Sequence, residues 1–233
     1  MSISAVNVRQ PSVMTPVRVL VIPGLHGSGP DHWQTWLQAR LPKAQRVEQD
    51  DWAVPQLDAW SRRIDEVVAR HPGVAWVAVA HSFGCLALAH YLGRRAASAQ
   101  RDAGFGVAGA LFVAPADPRR FRLEDSLPQR PLGVPSTLMS SDTDPWMAAA
   151  NAARWAARWG AALANLGDAG HINVDAGFGP FPRALRITRA LIRLAHKAHK
   201  QSRIDSFQRP PALPILRADS SSLHTHLDRI PSP

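Results

Sequence analysis

The chain has 233 residues, 45% of them hydrophobic, which is material for one domain with a sizeable core. Its apolar runs, such as Val74 to Ala80 and Ala108 to Ala114, fall far short of the roughly 20 residues that a bilayer span needs. A net charge of +9 would point to nucleic acid if it covered one face, but Arg183 to Pro233 carries ten Lys/Arg against three Asp, so most of the surplus sits at the C-terminal end.

Met1 to Thr15 carries one positive charge, Arg9, and no apolar core, so residues 1–15 read as a flexible N-terminus and not as a secretory signal. The single cysteine, Cys85, excludes an internal disulfide and a multi-cysteine metal site. A cytoplasmic protein is expected.

Val17 to Ile22 is a β-branched run that ends in Pro23-Gly24 and predicts a buried strand feeding the glycine-rich loop Gly24 to Gly29. Asp31 then caps a helix carrying Trp33, Trp36, Leu37 and Leu41 at helical spacing. Gln45 to Gln49 is a weak strand, and Pro55 opens a helix with Leu57, Trp60, Ile64, Val67 and Val68 on one face, stopped by His71-Pro72-Gly73. Trp76 to Ala80 is a third strand and Phe83 to Gly93 a helix. Ala108 to Ala114 and Ser136 to Ser140 are further strands, Trp146 to Trp159 a helix, Ala161 to Leu166 a sixth strand and Arg183 to His199 a last amphipathic helix.

Nearly continuous apolar strands alternating with helices imply a mostly parallel sheet covered on both faces, a three-layer α/β/α sandwich. The domain is expected over residues 16–200. Residues 201–233, rich in Ser, Pro and Arg and broken by Pro210-Pro211 and Pro214, read as a disordered tail.

Ala80-His81-Ser82-Phe83-Gly84 falls where the third strand meets its helix, the setting of a nucleophile elbow, with Ala80 in place of the usual first glycine. A serine there can equally be a helix cap. A serine hydroxyl becomes a nucleophile only with a base in hydrogen-bond reach and an acid to orient that base, and in hydrolases of this build the order along the chain is Ser, Asp or Glu, His.

Candidates occur in that order. Ser141-Asp142-Thr143-Asp144-Pro145 follows the fifth strand, and Gly167-Asp168-Ala169-Gly170-His171 follows the sixth, both at the carboxyl edge where open α/β sheets assemble ligand sites. His171 outranks the other histidines by this position; the side chain of His81 is expected to point away from the elbow. Asp142 and Asp144 both stand open as the acid, since an Asp before Pro is often a cap.

The backbone amides of Leu25 and Phe83 are the natural pair of oxyanion donors. The first loop lacks a P-loop ending and is not G-x-G-x-x-G. A metal site from His26, Asp31 and His32 is the weaker reading, since nothing else converges on it.

Taken together, Ile22-Pro23-Gly24, Gly27-Ser28-Gly29-Pro30-Asp31-His32-Trp33-Gln34-Thr35-Trp36, His81-Ser82-Phe83-Gly84, Val113-Ala114-Pro115-Ala116, Ser141-Asp142-Thr143-Asp144-Pro145-Trp146 and Gly170-His171-Ile172-Asn173 make the chain resemble the family of retinoblastoma-binding protein nine and YdeN. The likeness spans roughly residues 17 to 195. It implies a compact α/β-hydrolase fold without a large lid and a triad of Ser82, Asp144 and His171, the family's acid being the one directly before proline. Ala80 and the basic tail are departures from the family pattern.

The resemblance implies an esterase or a peptidase for small substrates, without a cofactor. A pocket for the acyl or leaving group could draw on His26, Trp33, Trp36, Trp52, Phe83, Trp146 and Phe178, though tryptophans at helical spacing such as Trp33 and Trp36 are more often core anchors. The expected partner is a small ester or amide, with no membrane, nucleic acid disfavoured, and a monomer or small homo-oligomer. Two rival readings remain, a hydrolase-fold scaffold without turnover and an acidic partner or nucleic acid bound through the tail.

Overall fold

The computed structural model describes residues 15–97 and 106–208. Six strands form one sheet in the order β2-β1-β3-β4-β5-β6, and every neighbouring pair is parallel. They are β1 (Val17–Ile22), β2 (Gln45–Arg46), β3 (Ala75–Ser82), β4 (Gly106–Pro115), β5 (Ser136–Ser140) and β6 (Ala162–Asn165). The helices are α1 (Trp33–Gln38), α2 (Leu57–Ala69), α3 (Phe83–Ala97), α4 (Ala149–Trp159) and α5 (Pro182–Gln208).

Side chains alternate across a strand, so each strand feeds two cores. From β1 and β3, Leu20, Ile22, Trp76, Ala78 and Ala80 point to one face and pack with Trp60 and Ile64 of α2, Leu86 of α3 and Trp155 of α4. Val19, Val21, Val77 and Val79 point to the other and pack with Trp33 and Leu37 of α1 and Leu191 of α5. The result is the compact three-layer sandwich of the α/β-hydrolase fold.

Two differences from the sequence reading have plain causes. The helix expected from Trp146 begins only at Ala149, because Asp144-Pro145-Trp146 forms a turn in which the Trp146 amide donates to Asp144 Oδ1 at 2.9 Å. The last helix runs to Gln208, through residues 201–208, where a disordered tail was expected; polar composition does not oppose a helix already nucleated on the sheet. The rest of that tail and residues 1–14 lie outside the described residues.

The carboxyl ends of β1, β3, β5 and β6 converge on one edge. The connection from β4 to β5 holds two short 3-10 turns, Pro118–Phe121 and Glu124–Ser126, and no large lid.

Candidate active site

Ser82 is the last residue of β3 and has φ +52°, a left-handed conformation that non-glycine residues seldom adopt. Two glycines make room for that turn. A Cβ on Gly84 would collide with the Pro23 carbonyl oxygen, and one on Gly24 would meet Ser82 Cβ at 2.7 Å, so the first loop presses directly on the serine. Ala80, in place of the usual glycine, is fully buried in the core on the α2 and α3 side.

The Ser82 hydroxyl donates to His171 Nε2 at 2.9 Å, and His171 Nδ1–H donates to Asp144 Oδ1 at 2.9 Å and Oδ2 at 3.1 Å. The Asp144 side chain is 2% exposed and that of His171 9%, so water scarcely competes for this chain of bonds. Asp142 turns elsewhere, accepting from Asn165 Nδ2 at 2.6 Å. Of the two open acids, the loop brings Asp144 to the histidine.

Of the donor pair named from sequence, Phe83 directly follows Ser82, and Leu25 directly follows Gly24, the residue that meets Ser82. Phe83 opens α3, so its amide meets no intrahelical carbonyl. Among the described residues no hydrogen bond uses the Leu25 amide, which follows Gly24 in the loop pressed against Ser82.

Several supporting side chains fall within the motif segments, but the sequence does not show what they bond to. Gln34 is fully buried; its Nε2 donates to the carbonyls of Ile22 and Val79 at 3.1 and 3.0 Å, and its Oε1 accepts from Ser28 Oγ at 2.6 Å, which pins the first loop to β1 and β3. Ser141 Oγ donates to the Gly167 carbonyl at 3.0 Å and accepts from the Ala169 amide at 3.0 Å, while Thr143 Oγ1 donates to Asp168 at 2.6 Å and accepts from the Gly170 amide at 3.0 Å. These bonds lace the aspartate loop to the histidine loop. A polar residue in a loop announces itself in a sequence only as a loop residue, so its partner 25 or more positions away stays hidden.

His81 departs from its expected orientation. Its side chain is buried against His171, ring centroids 4.9 Å apart, and Nε2–H donates to the His171 carbonyl at 3.0 Å. Burial, then the neighbouring His171 and His32, push its pKa well below the usual histidine range. His32 caps α1 through Nδ1, which accepts from the Gln34 amide at 3.1 Å; burial first, then Arg46 and His171, lower its pKa to about 4. Both imidazoles are therefore neutral at pH 7, and His32 serves as a helix cap.

The expected pocket residues scatter. Trp146 is 44% exposed, and its ring lies 6.1 Å from that of His171, beside an open cleft of about 510 Å³ that runs past His171. His26 is exposed and donates its amide to the Trp52 carbonyl at 2.9 Å, so both flank the first loop. Phe83 is fully buried with its ring 5.0 Å from Trp60, and Trp33 is fully buried against His81 and Phe181. Trp33 and Phe83 thus offer no ring to a ligand. Trp36 lies under Arg40 and Phe178 packs on Phe181, both on the α1 and α5 side of the sheet.

The lone thiol of Cys85 is buried and donates to the Val113 carbonyl at 3.5 Å, and burial raises its pKa strongly, which makes it inert.

A family profile described as serine hydrolase matches residues 19–189. This chain belongs to the serine hydrolase family. Among solved structures, a YdeN-like hydrolase from Pectobacterium atrosepticum is 34% identical, with a TM-score of 0.70 over 77% of this chain and 92% of that one. The ydeN gene product of B. subtilis is 20% identical, TM-score 0.59, over 76% of this chain and 98% of that one. The acyl-protein thioesterase 2 of Zea mays, 12% identical with a TM-score of 0.53 over 78% of this chain and 96% of that one, shares the fold. No curated protein matches the chain by sequence.

Proposed function

We propose that this member of the serine hydrolase family cleaves a small ester or amide by acyl transfer, with Ser82 as nucleophile, His171 as general base and acid, and Asp144 as the carboxylate that orients the imidazole. The observation that carries the reading is the continuous pair of bonds from Asp144 through His171 to Ser82, each 2.9 Å at its shortest, ending on a serine at φ +52°. The likeness to retinoblastoma-binding protein nine, carried by the sequence motifs, belongs to the same reading.

In the first half-reaction His171 Nε2 takes the hydroxyl proton as Ser82 Oγ bonds to the carbonyl carbon. The imidazolium so formed is stabilised by the buried Asp144. The tetrahedral oxyanion faces the Leu25 and Phe83 amides, each such donor typically lowering the barrier by roughly 3 kcal/mol. His171 then protonates the leaving alcohol or amine, and water enters by the same steps in reverse roles to free the acyl group.

The test is hydrolysis of p-nitrophenyl acetate together with labelling by a tagged fluorophosphonate. Wild-type protein should take the label and turn over the ester, and Ser82→Ala and His171→Ala should each lose roughly 10⁴-fold or more of the rate. Full activity in either variant would sink the assignment, and a wild-type protein inert to both reagents would favour a scaffold without turnover.

A further inference from the structure

One feature of the site lies outside the hydrogen-bonded chain. Where the polypeptide leaves β4, Asp117 accepts from the Arg119 amide at 3.1 Å and from its guanidinium at 3.1 and 2.7 Å, and from Asn151 Nδ2 at 3.0 Å. Burial works against the Asp117 charge, yet the Arg119 and Asn151 hydrogen bonds outweigh it and hold the carboxyl below its ordinary pKa. Arg119 is therefore matched, and the turn Pro118–Phe121 is fixed in place.

The next residue, Arg120, is oriented by one hydrogen bond and one ring contact but is not matched. Its Nη2 donates to the Pro145 carbonyl at 2.6 Å, and its guanidinium stacks 5.2 Å from the centroid of the Trp146 ring. Among the described residues it forms no ion pair with a carboxylate. A guanidinium has five N–H donors in a planar fork suited to carboxylate geometry, and one of them meets a carbonyl here. The remainder stay open on a side chain whose orientation is already set, which lowers the entropy lost on gripping a ligand.

Asp117, Arg119, Arg120, Trp146, Ala148 and Asn151 line an open cleft of about 540 Å³. Its position ties it to the candidate site from two sides. Trp146 is its shared wall with the cleft that passes His171, and Phe121, at the end of the same turn, packs its ring 5.1 Å from that of Phe83. Asp117 matches Arg119 within this cleft, so Arg120 alone supplies the unmatched positive charge on one side of Trp146, while Asp168 and Asp175 line the other. An anionic substrate group is thus attracted to one side of the indole and repelled from the other.

We propose that this cleft is a subsite for a carboxylate on the substrate, gripped by Arg120 over Trp146, so that esters or amides bearing a negative charge near the scissile bond are preferred to their neutral counterparts. The inference rests on the hydrolase reading above.

The test compares kcat/KM within two matched pairs. On the acyl side the pair is the 4-nitrophenyl monoester of glutarate and 4-nitrophenyl pentanoate; on the leaving-group side it is 3-acetoxybenzoate and its methyl ester. A carboxylate held by one charged hydrogen-bond donor should raise the ratio of charged to neutral substrate about tenfold in at least one pair. Arg120→Met should bring that ratio to about one, and Arg120→Lys, which keeps the charge but loses the fork and the stacking, should give an intermediate value. Fluorophosphonate labelling of each variant shows whether its nucleophile is intact. Ratios near one in both pairs of the wild type, or a preference that survives Arg120→Met, would overturn the subsite. Failure of wild-type protein to hydrolyse all four esters and to take the label would overturn the hydrolase reading itself, and the subsite with it.

Discussion

The two halves of the candidate site are built by opposite means. On the nucleophile side, where Gln34 pins the first loop, the contact of Pro23-Gly24 with Ser82-Phe83-Gly84 itself depends on missing side chains: backbones approach until a single Cβ on Gly84 or Gly24 would collide. On the acid and base side, the loops after β5 and β6 are set by side chains, with the Ser141 and Thr143 hydroxyls lacing one loop to the other. Steric closeness tolerates no addition, whereas a laced pair of loops gives way by degrees as its bonds are removed. His81 spans the seam, adjoining Ser82 in the chain and bonding to the His171 backbone.

The largest effect is expected on the laced side, at the atom the lacing exists to place. Asp144→Asn should lower kcat roughly 10⁴-fold, because an amide stabilises neither the imidazolium nor the required tautomer. Asp142→Asn, whose side chain faces Asn165, should stay within about threefold in the same assay. Equal losses in the two variants would refute the distinction between them.

On the steric side, Gly84→Ala should destabilise the protein by about 3 kcal/mol or more, since the clashing atoms are backbone carbonyl oxygens that have no rotamer to yield. Urea unfolding midpoints would measure it, and a change under about 1 kcal/mol would show that the elbow is slacker than argued.

At the seam the test is pH. His32 and His81 are neutral in the fold with pKa values below the usual 6.5, His32 at about 4, whereas the unfolded chain protonates them near their ordinary value. The unfolded state thus binds protons that the folded state refuses, so stability is full above pH 6.5 and falls as pH drops from there toward 4. The His32 shift accounts for on the order of 3 kcal/mol of that loss. His81→Gln should flatten the slope between pH 6.5 and 4.5, and an unchanged slope in urea midpoints would contradict the account.

A smaller loss of stability than at Gly84 is expected from Ser141→Ala. It strips the bonds of the buried Ser141 to the Gly167 carbonyl and the Ala169 amide and should cost about 2 kcal/mol of stability. Activity should fall in parallel as the histidine loop loosens, and a variant as stable as wild type would show that the lacing is dispensable.

Much of this architecture was legible in the chain itself. The alternation of β-branched runs with amphipathic helices determined the three-layer parallel sandwich, because such runs are stable only when covered on both faces. Glycines at 24 and 84 around a strand-ending serine, with an aspartate and a histidine after later strands, marked out the candidate site, because local turn chemistry leaves a local signature.

Only the tertiary structure decided what depends on distance across the fold. Position in the loop does not separate Asp142 from Asp144, and only the family pattern favours the second; in the fold Asn165 of β6 meets Asp142 and His171 meets Asp144. Trp33 and Trp146 carry the same indole, yet one is sealed in the core and the other stands 44% exposed beside the candidate base. Arg119 and Arg120 are adjacent and chemically identical, and the placement of Asp117 neutralises the first and leaves the second open. Local pattern sets the backbone, while the partner of a polar side chain is set by which strands the sheet makes neighbours.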